Sequence, residues 1–313
     1  MFRSILVPLD GSPLAEQVLP LALSIAKRAG ARLTLLQVVP VPGAALTLTD
    51  AVLSADAQLD LLQSQTDKYL RDIAQRLLPA SSAEPDPIPV EREMITGQAG
   101  LAISECAATL PADLIVMATH GRSGLHRLAL GSVTGQVLQL SPAPLIIVRP
   151  RRVGPVRFDE LPALDRIMVT LDGSELAERV LPVAARLGQL FHSELFLFRA
   201  AHIPTVSAIA SELQPVLRAR AEIAAWEYLR TVAASFNLHR FEVRTVTEPG
   251  TAVEAILAVA EELDVTLIAM TTHGRTGFSR VVSGSVADRI VRSSARPVLI
   301  VRSPLEQAPI IRA

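Results

Sequence analysis

A chain that carries the same segments twice can be built only from two copies of one unit, each buried in its own right or completed by its duplicate. Residues 9–20, LDGSPLAEQVLP, return as LDGSELAERVLP at 171–182, with ten of twelve positions identical at an offset of 162. Residues 119–132, THGRSGLHRLALGS, return as THGRTGFSRVVSGS at 272–285, eight of fourteen identical at an offset of 153. Both copies close on an apolar run, PLIIVRP at 144–150 and PVLIVRS at 297–303. The fall in offset gives the first copy nine extra residues, for which the Pro- and Ser-rich PASSAEPDPIP at 79–89 is the natural place. RPRRVGPVRFDELPALD, 149–165, is charged, holds three prolines and reads as a connection. The expected division is a first domain over 1–150, a linker over 151–164 and a second domain over 165–304, within the length that two domains need.

Inside each copy, short apolar runs alternate with helical patterns. In the first, Ile5–Pro8 reads as a strand, and Ser12-Pro13 offers an N-cap with Pro at the first helical position of a helix to about Ala29. Arg32–Val39 is a second strand and about 51–78 a long amphipathic helix. Val90–Ile95, Asp113–Ala118 and Leu145–Val148 are further strands, separated by helices over Ala99–Thr109 and from Gly131-Ser132 to about Leu140. Apolar strands joined by helices imply parallel pairing with both faces covered. Right-handed crossovers then give two tandem doubly wound, Rossmann-like α/β sandwiches, each with a five-stranded parallel sheet in the order 3-2-1-4-5. Ligands of such sheets sit beyond the carboxyl ends of the strands, where the order reverses. That rule brings Asp10, after strand 1, to one crevice with Thr119–Gly121, after strand 4. The edge formed by the fifth strands is where the two copies are expected to pair, as a pseudo-dimer within one chain.

Composition excludes several classes. A net charge of −1 argues against a general nucleic-acid binder, which needs an excess of Lys and Arg on one surface. No run of eighteen apolar residues appears, and the first nine residues read as a strand without a signal peptide's core, so a cytoplasmic protein off the membrane is expected. The single cysteine, Cys106, excludes an intrachain disulfide and reads as a buried structural thiol. Lys27 and Lys68 are the only lysines, and neither stands in the Gly-Lys-Ser/Thr that a P-loop requires. What remains is a phosphate cradle made without lysine: Gly121 and Gly131 allow close backbone approach, and Ser132 adds a hydroxyl and an N-cap at a helix N-terminus. Asp10, a poor phosphate ligand, suits a ribose hydroxyl or an adenine amino group. The pair points to a nucleotide, although a glycine loop also turns corners.

ILVPLDGS, a THGR-x-G loop, nine residues to Gly-Ser, and a closing PLIIVR strand resemble the universal stress protein family over both repeats, as a tandem two-domain member. The family's nucleotide pattern is G-x2-G-x9-G-[S/T]. Here it reads Ala118-x2-Gly121-x9-Gly131-Ser132 and Thr271-x2-Gly274-x9-Gly284-Ser285, the first glycine replaced in both copies. The resemblance implies adenine and ribose contacts at Pro8, Asp10 and Val38, and phosphate contacts at Met117, Ala118, His120, Gly121, Gly131, Ser132, Val133 and Thr134. In the second copy it places Asp172, Thr271, Gly274, Gly284 and Ser285, while Thr170 and Ala200 replace Pro8 and Val38. ATP with Mg2+ is the implied cofactor of the first copy, and the replacements in the second weaken its adenine pocket. Association of two chains into a homodimer is a further expectation from the family.

Blander readings stand beside these. His120 and His273 have no second ligand at metal spacing and suit loop-orienting hydrogen bonds. Arg122 and Arg275 either clamp phosphate or sit on a solvated rim, and Arg127 and Arg280 lean to the rim. Ser123 is not in a nucleophile elbow. Trp226 and Tyr228, on a long amphipathic helix over about 210–235, suit core or interface packing. Three functions are weighed: a nucleotide-binding stress or signalling module, at most a slow ATPase; a nucleotide-free scaffold of the same fold; and a true enzyme using the crevice, which needs a catalytic constellation that the sequence does not show.

Overall fold

The computed structural model describes residues 2–41, 54–81, 87–119, 131–150, 156–158, 160–201, 213–236, 241–272 and 285–302. The first repeat runs β1 (Ser4–Leu9), α1 (Pro13–Glu16), α2 (Leu19–Ala29), β2 (Arg32–Val39), α3 (Ala55–Ser81), β3 (Val90–Thr96), α4 (Ala99–Thr109), β4 (Leu114–Ala118), α5 (Ser132–Leu140) and β5 (Leu145–Val148). The second follows as β6 (Arg166–Thr170), α6 (Glu175–Glu178), α7 (Leu181–Phe191), β7 (Glu194–Ala201), α8 (Gln214–Ser235), β8 (Val243–Pro249), α9 (Ala252–Glu262), β9 (Leu267–Thr271), α10 (Ser285–Ser293) and β10 (Val298–Val301).

The strands form one ten-stranded sheet, β3-β2-β1-β4-β5-β10-β9-β6-β7-β8. Each half is parallel in the expected order 3-2-1-4-5, and the halves join by the antiparallel pairing of β5 with β10, Leu299 opposite Ile146. Two isolated five-stranded sandwiches are thus one mixed sheet, because the fifth strands cover each other's exposed edge. Central strands are buried on both faces: Ile5, Val7, Leu114 and Val116 pack with α2 and α3 on one side, Leu6, Leu36, Ile115 and Met117 with α4 and α5 on the other. The outer strands β3 and β8 instead hold only half-buried and exposed residues, as edges do. The α2/α3 side is continuous with that of the second repeat, so one hydrophobic cluster runs from Ile5 through Ile146 to Ile167 and Leu299.

The helix expected over 13–29 is broken into α1 and α2, and its counterpart into α6 and α7. Pro20 is the cause, and by sequence repetition Pro182: a proline in mid-helix lacks the N–H and collides with the carbonyl four residues back, so each proline sits in the first turn of a new helix. The nine extra residues also divide. Ala55 and Gln214 open α3 and α8, and Tyr69 and Tyr228 both stand fifteenth, so the helices start in register at an offset of 159. Three extra residues therefore precede α3, and only six fall after Tyr69, toward the segment expected to hold them all.

Candidate functional site

β1 carries SILVPL into the sheet and ends at Leu9, where Asp10 and Gly11, the latter at φ 81°, turn the chain toward α1. The Asp10 carboxylate accepts the Ser12 N–H at 3.0 Å, and the Ser12 hydroxyl caps α1 by accepting the Ala15 N–H at 3.2 Å. β4 ends one strand away, at Ala118. Between the two carboxyl ends a cleft of about 240 Å³ opens, as the reversal of strand order demands. Pro8, Asp10, Val38, Met117 and Ala118 line one part of it, and Gly131, Ser132, Val133 and Thr134, at the start of α5, line another. His120 and Gly121 lie outside the described residues, as do Arg122, Ser123, Arg127, His273, Gly274, Arg275, Arg280 and Gly284.

The start of α5 is tied to the end of β4 by specific bonds. The Gly131 N–H donates to the Thr119 carbonyl at 3.2 Å, and the Thr134 hydroxyl donates to the Ala118 carbonyl at 3.1 Å. A Cβ at position 131 would stand 2.5 Å from the Thr119 oxygen, so this glycine is required by the protein's own backbone. Gly131 holds the N-cap position of α5 and Ser132 is its first helical residue, exposed at the cleft, which corrects the expected capping role of Ser132. The first N–H groups of α5 are the orphan donors of a helix start, and they lie against the cleft that also holds the Asp10 carboxylate.

Sequence reading missed the floor and side wall. Leu36, two residues before Val38 on β2, and Ala99 and Ile103, from the first turns of α4, also line the cleft. The two-residue period of a strand points from Val38 to Leu36. The α4 contribution depends on the β3–α4 turn and carries no local signal.

The second repeat has a cleft at the matching place, about 600 Å³, lined by Thr170, Asp172, Ala200, Met270 and Thr271 among others. Besides Thr170, Ala200 and Thr271 in place of Pro8, Val38 and Ala118, further exchanges separate it from the first. Ala287 stands where Thr134 does, so the hydroxyl pin between the helix start and the strand end is lost. Arg199 stands where Gln37 does, its guanidinium 4.7 Å from the Tyr228 ring and close enough to Gly173 that a Cβ there would meet Nη2 at 2.9 Å. Ala224 and Ala225 of α8 open the cleft toward that helix, where α3 has Gln65 and Thr66. Asp172 keeps the role of Asp10, accepting the Ser174 N–H at 3.0 Å and its hydroxyl at 2.6 Å.

Tyr228 donates its hydroxyl to Glu178 at 2.9 Å, and burial, then that bond and charge, push its ionisation well above the ordinary tyrosine range. Tyr69, its counterpart, is pushed the same way, first by burial and then by the charges of Glu16 and Asp10. Of the two packing roles expected for Trp226 the core is ruled out and an interface is left: it is 45% exposed, with Arg230 4.7 Å from its ring. Cys106 is buried as expected, and desolvation, with Glu93 adding, raises its thiol pKa.

A tandem of doubly wound half-sheets, each with a cleft at its switch point between an aspartate and a helix start, defines a class of α/β proteins with a doubled, Rossmann-like architecture. The family within that class is fixed by the sequence: the universal stress protein family model matches residues 1–149 and again 163–302, and the chain belongs to that family. A universal stress protein of Methanocaldococcus jannaschii is 31% identical over 150 residues, 48% of this chain and 83% of that one. One of Mycobacterium bovis is 30% identical over 151 residues, which span 46% of this chain and 45% of that relative. Among solved structures, a universal stress protein of Archaeoglobus fulgidus superposes with a TM-score of 0.67 over 96% of both chains at 24% identity, a likeness of fold.

Proposed function

We propose that the protein is a cytoplasmic stress-response module whose first-repeat cleft binds an adenine nucleotide, ATP with Mg2+. The observation that carries the reading is the meeting of the Asp10 carboxylate and the pinned start of α5 in one apolar-floored cleft. In this reading Pro8, Val38 and Met117 form the apolar walls for the base, Asp10 accepts from the ribose, and residues 131–134 with His120 and Gly121 hold the phosphates. Among the described residues Asp10 is the one carboxylate that lines the cleft, and no group of three His, Cys, Asp or Glu could hold a metal. Mg2+ therefore fits as a companion of the phosphates, with its remaining positions filled by water. Binding changes the shape or association of the protein, and hydrolysis is at most slow. In the second repeat Thr271, Ala287 and Arg199 depart from this pattern, so Asp172, Gly274, Gly284 and Ser285 make the weaker site.

The test is calorimetric titration of ATP, with and without Mg2+, into protein stripped of nucleotide. One strong site is expected, weakened at least tenfold by Asp10→Ala and little changed by Asp172→Ala; removal of a hydrogen-bonded charged partner supports that size. No heat at millimolar ATP, with no nucleotide released on denaturing purified protein, overturns this reading in favour of a nucleotide-free scaffold.

A further inference from the structure

α8 is apolar on two faces, and among the described residues only one of them is buried against the rest of the protein. Ala225, Leu229 and Val232 are buried against the sheet. On the far side Val216, Ile223 and Trp226 are 51%, 56% and 45% exposed. With Ala219 and Arg230, both exposed, they recur at spacings of three and four, the seam of a helix that packs on another helix. Arg230 does not interrupt the seam, because its guanidinium sits over the Trp226 ring, 4.7 Å from the ring centre.

The duplicated helix supplies the control. α3 occupies the same place in the first repeat, and its matching residues are Ala57, Asp60, Ser64, Asp67 and Arg71, with Asp67 and Arg71 paired as ions. Fold and burial therefore do not demand an apolar outer face here. Only the second repeat has one.

We propose that this face is the seam of a homodimer, α8 packing antiparallel on α8 of a second copy across a two-fold axis. Charge selects the occupant and the register. Arg220 and Glu227 flank the seam on one side, both exposed, and seven residues of helix hold them about 10.5 Å apart along the axis, too far to pair with each other. With Ile223 of one helix set against the partner's Trp226, antiparallel packing lays Arg220 beside the partner's Glu227, and symmetry repeats the pair. A slip of one heptad would set Arg220 against the partner's Arg220. Parallel packing would set Glu222 against the partner's Glu227. Both alternatives oppose like charges, so one arrangement is favoured. The interface is distinct from the β5–β10 junction, which is used up within the chain, and it does not depend on nucleotide binding.

Sedimentation equilibrium of the full chain from about 1 to 200 μM, the range in which interfaces at the small end of the usual size associate, tests the proposal. A reversible dimer is expected. Ile223→Asp, at an exposed position, should give monomer at every concentration with an unchanged thermal melt at low concentration. Arg220→Glu should weaken the dimer roughly tenfold, the scale on which two exposed ion pairs contribute, and Arg220→Glu with Glu227→Arg should restore it. A chain monomeric throughout, a dimer indifferent to Ile223→Asp, or a charge swap that fails to restore association would each overturn it.

Discussion

A methyl group on residue 131 would stand 2.5 Å from the Thr119 carbonyl oxygen, and neither backbone can yield without moving β4 or α5. Gly131→Ala should therefore destabilise the fold by about 1–3 kcal/mol, the usual cost of overpacking, with or without ligand; urea denaturation measures it, and an unchanged midpoint would show that the helix start shifts freely. For the same reason this glycine is a poor probe of nucleotide contact, and Asp10, on the turn after β1, is the better one. The Cys106 thiol makes a second residue-scale prediction. Burial raises its pKa, so at pH 8 it is expected to react with a thiol reagent far more slowly in the folded protein than in guanidinium, where one thiol per chain should titrate. Rapid labelling of native protein would contradict the burial of α4 against the sheet.

The two faces of α8 separate stability from association at the scale of one element. Leu229 is fully buried, and Leu229→Ala should cost about 2–5 kcal/mol; Trp226→Ala on the outer face should change the unfolding free energy of the monomer by less than about 0.5 kcal/mol. Chemical denaturation of both variants below the dimer range checks the contrast, and equal losses would mean that Trp226 packs inward. Elements were legible in the sequence wherever burial is uniform or periodic. β2, α4 and β5 begin and end where the apolar pattern does, and the strand order followed from two apolar repeats joined by helices. The break at Pro20 was legible in principle, since Pro13 already opens a helix and a second proline seven residues on cannot lie in its middle. Side chains brought together by several elements were not legible: Leu36, Ala99 and Ile103 meet at the cleft through three separate connections, and α3 and α8 match only at an offset that neither flanking repeat shares. The outer face of α8 escaped notice because an apolar residue in a helix reads as core until the opposite face is known to be buried.

The repeats share one sheet, and on each of its faces one hydrophobic cluster spans both repeats, which bears on how the whole chain unfolds. Leu145, Ile146 and Ile147 face Ile300, Leu299 and Val298 across the junction, and all six are at most 2% exposed. Helices α2 and α7 extend the contact beside the strands: Arg28 lies 4.6 Å from the Phe191 ring, and Arg186 lies 4.1 Å from the Phe2 ring and 3.9 Å from Asp113. Losing either half would leave the fifth strand of the other, β5 or β10, paired on one side only and would open apolar area beside it, so the halves cannot melt independently without exposing an unpaired edge. The chain is therefore expected to unfold in a single transition by calorimetry, with calorimetric and van't Hoff enthalpies equal, rather than in two steps of half size. Leu299→Ala, at the centre of the junction, should lower that one transition, by about 2–5 kcal/mol in free energy, without splitting it. ATP should raise it as a whole, although the proposed site lies in the first repeat, because a ligand that binds only the folded state stabilises the entire cooperative unit. Two resolved transitions, of which ATP moves one, would mean that the ten-stranded sheet is two domains in contact and not one folding unit.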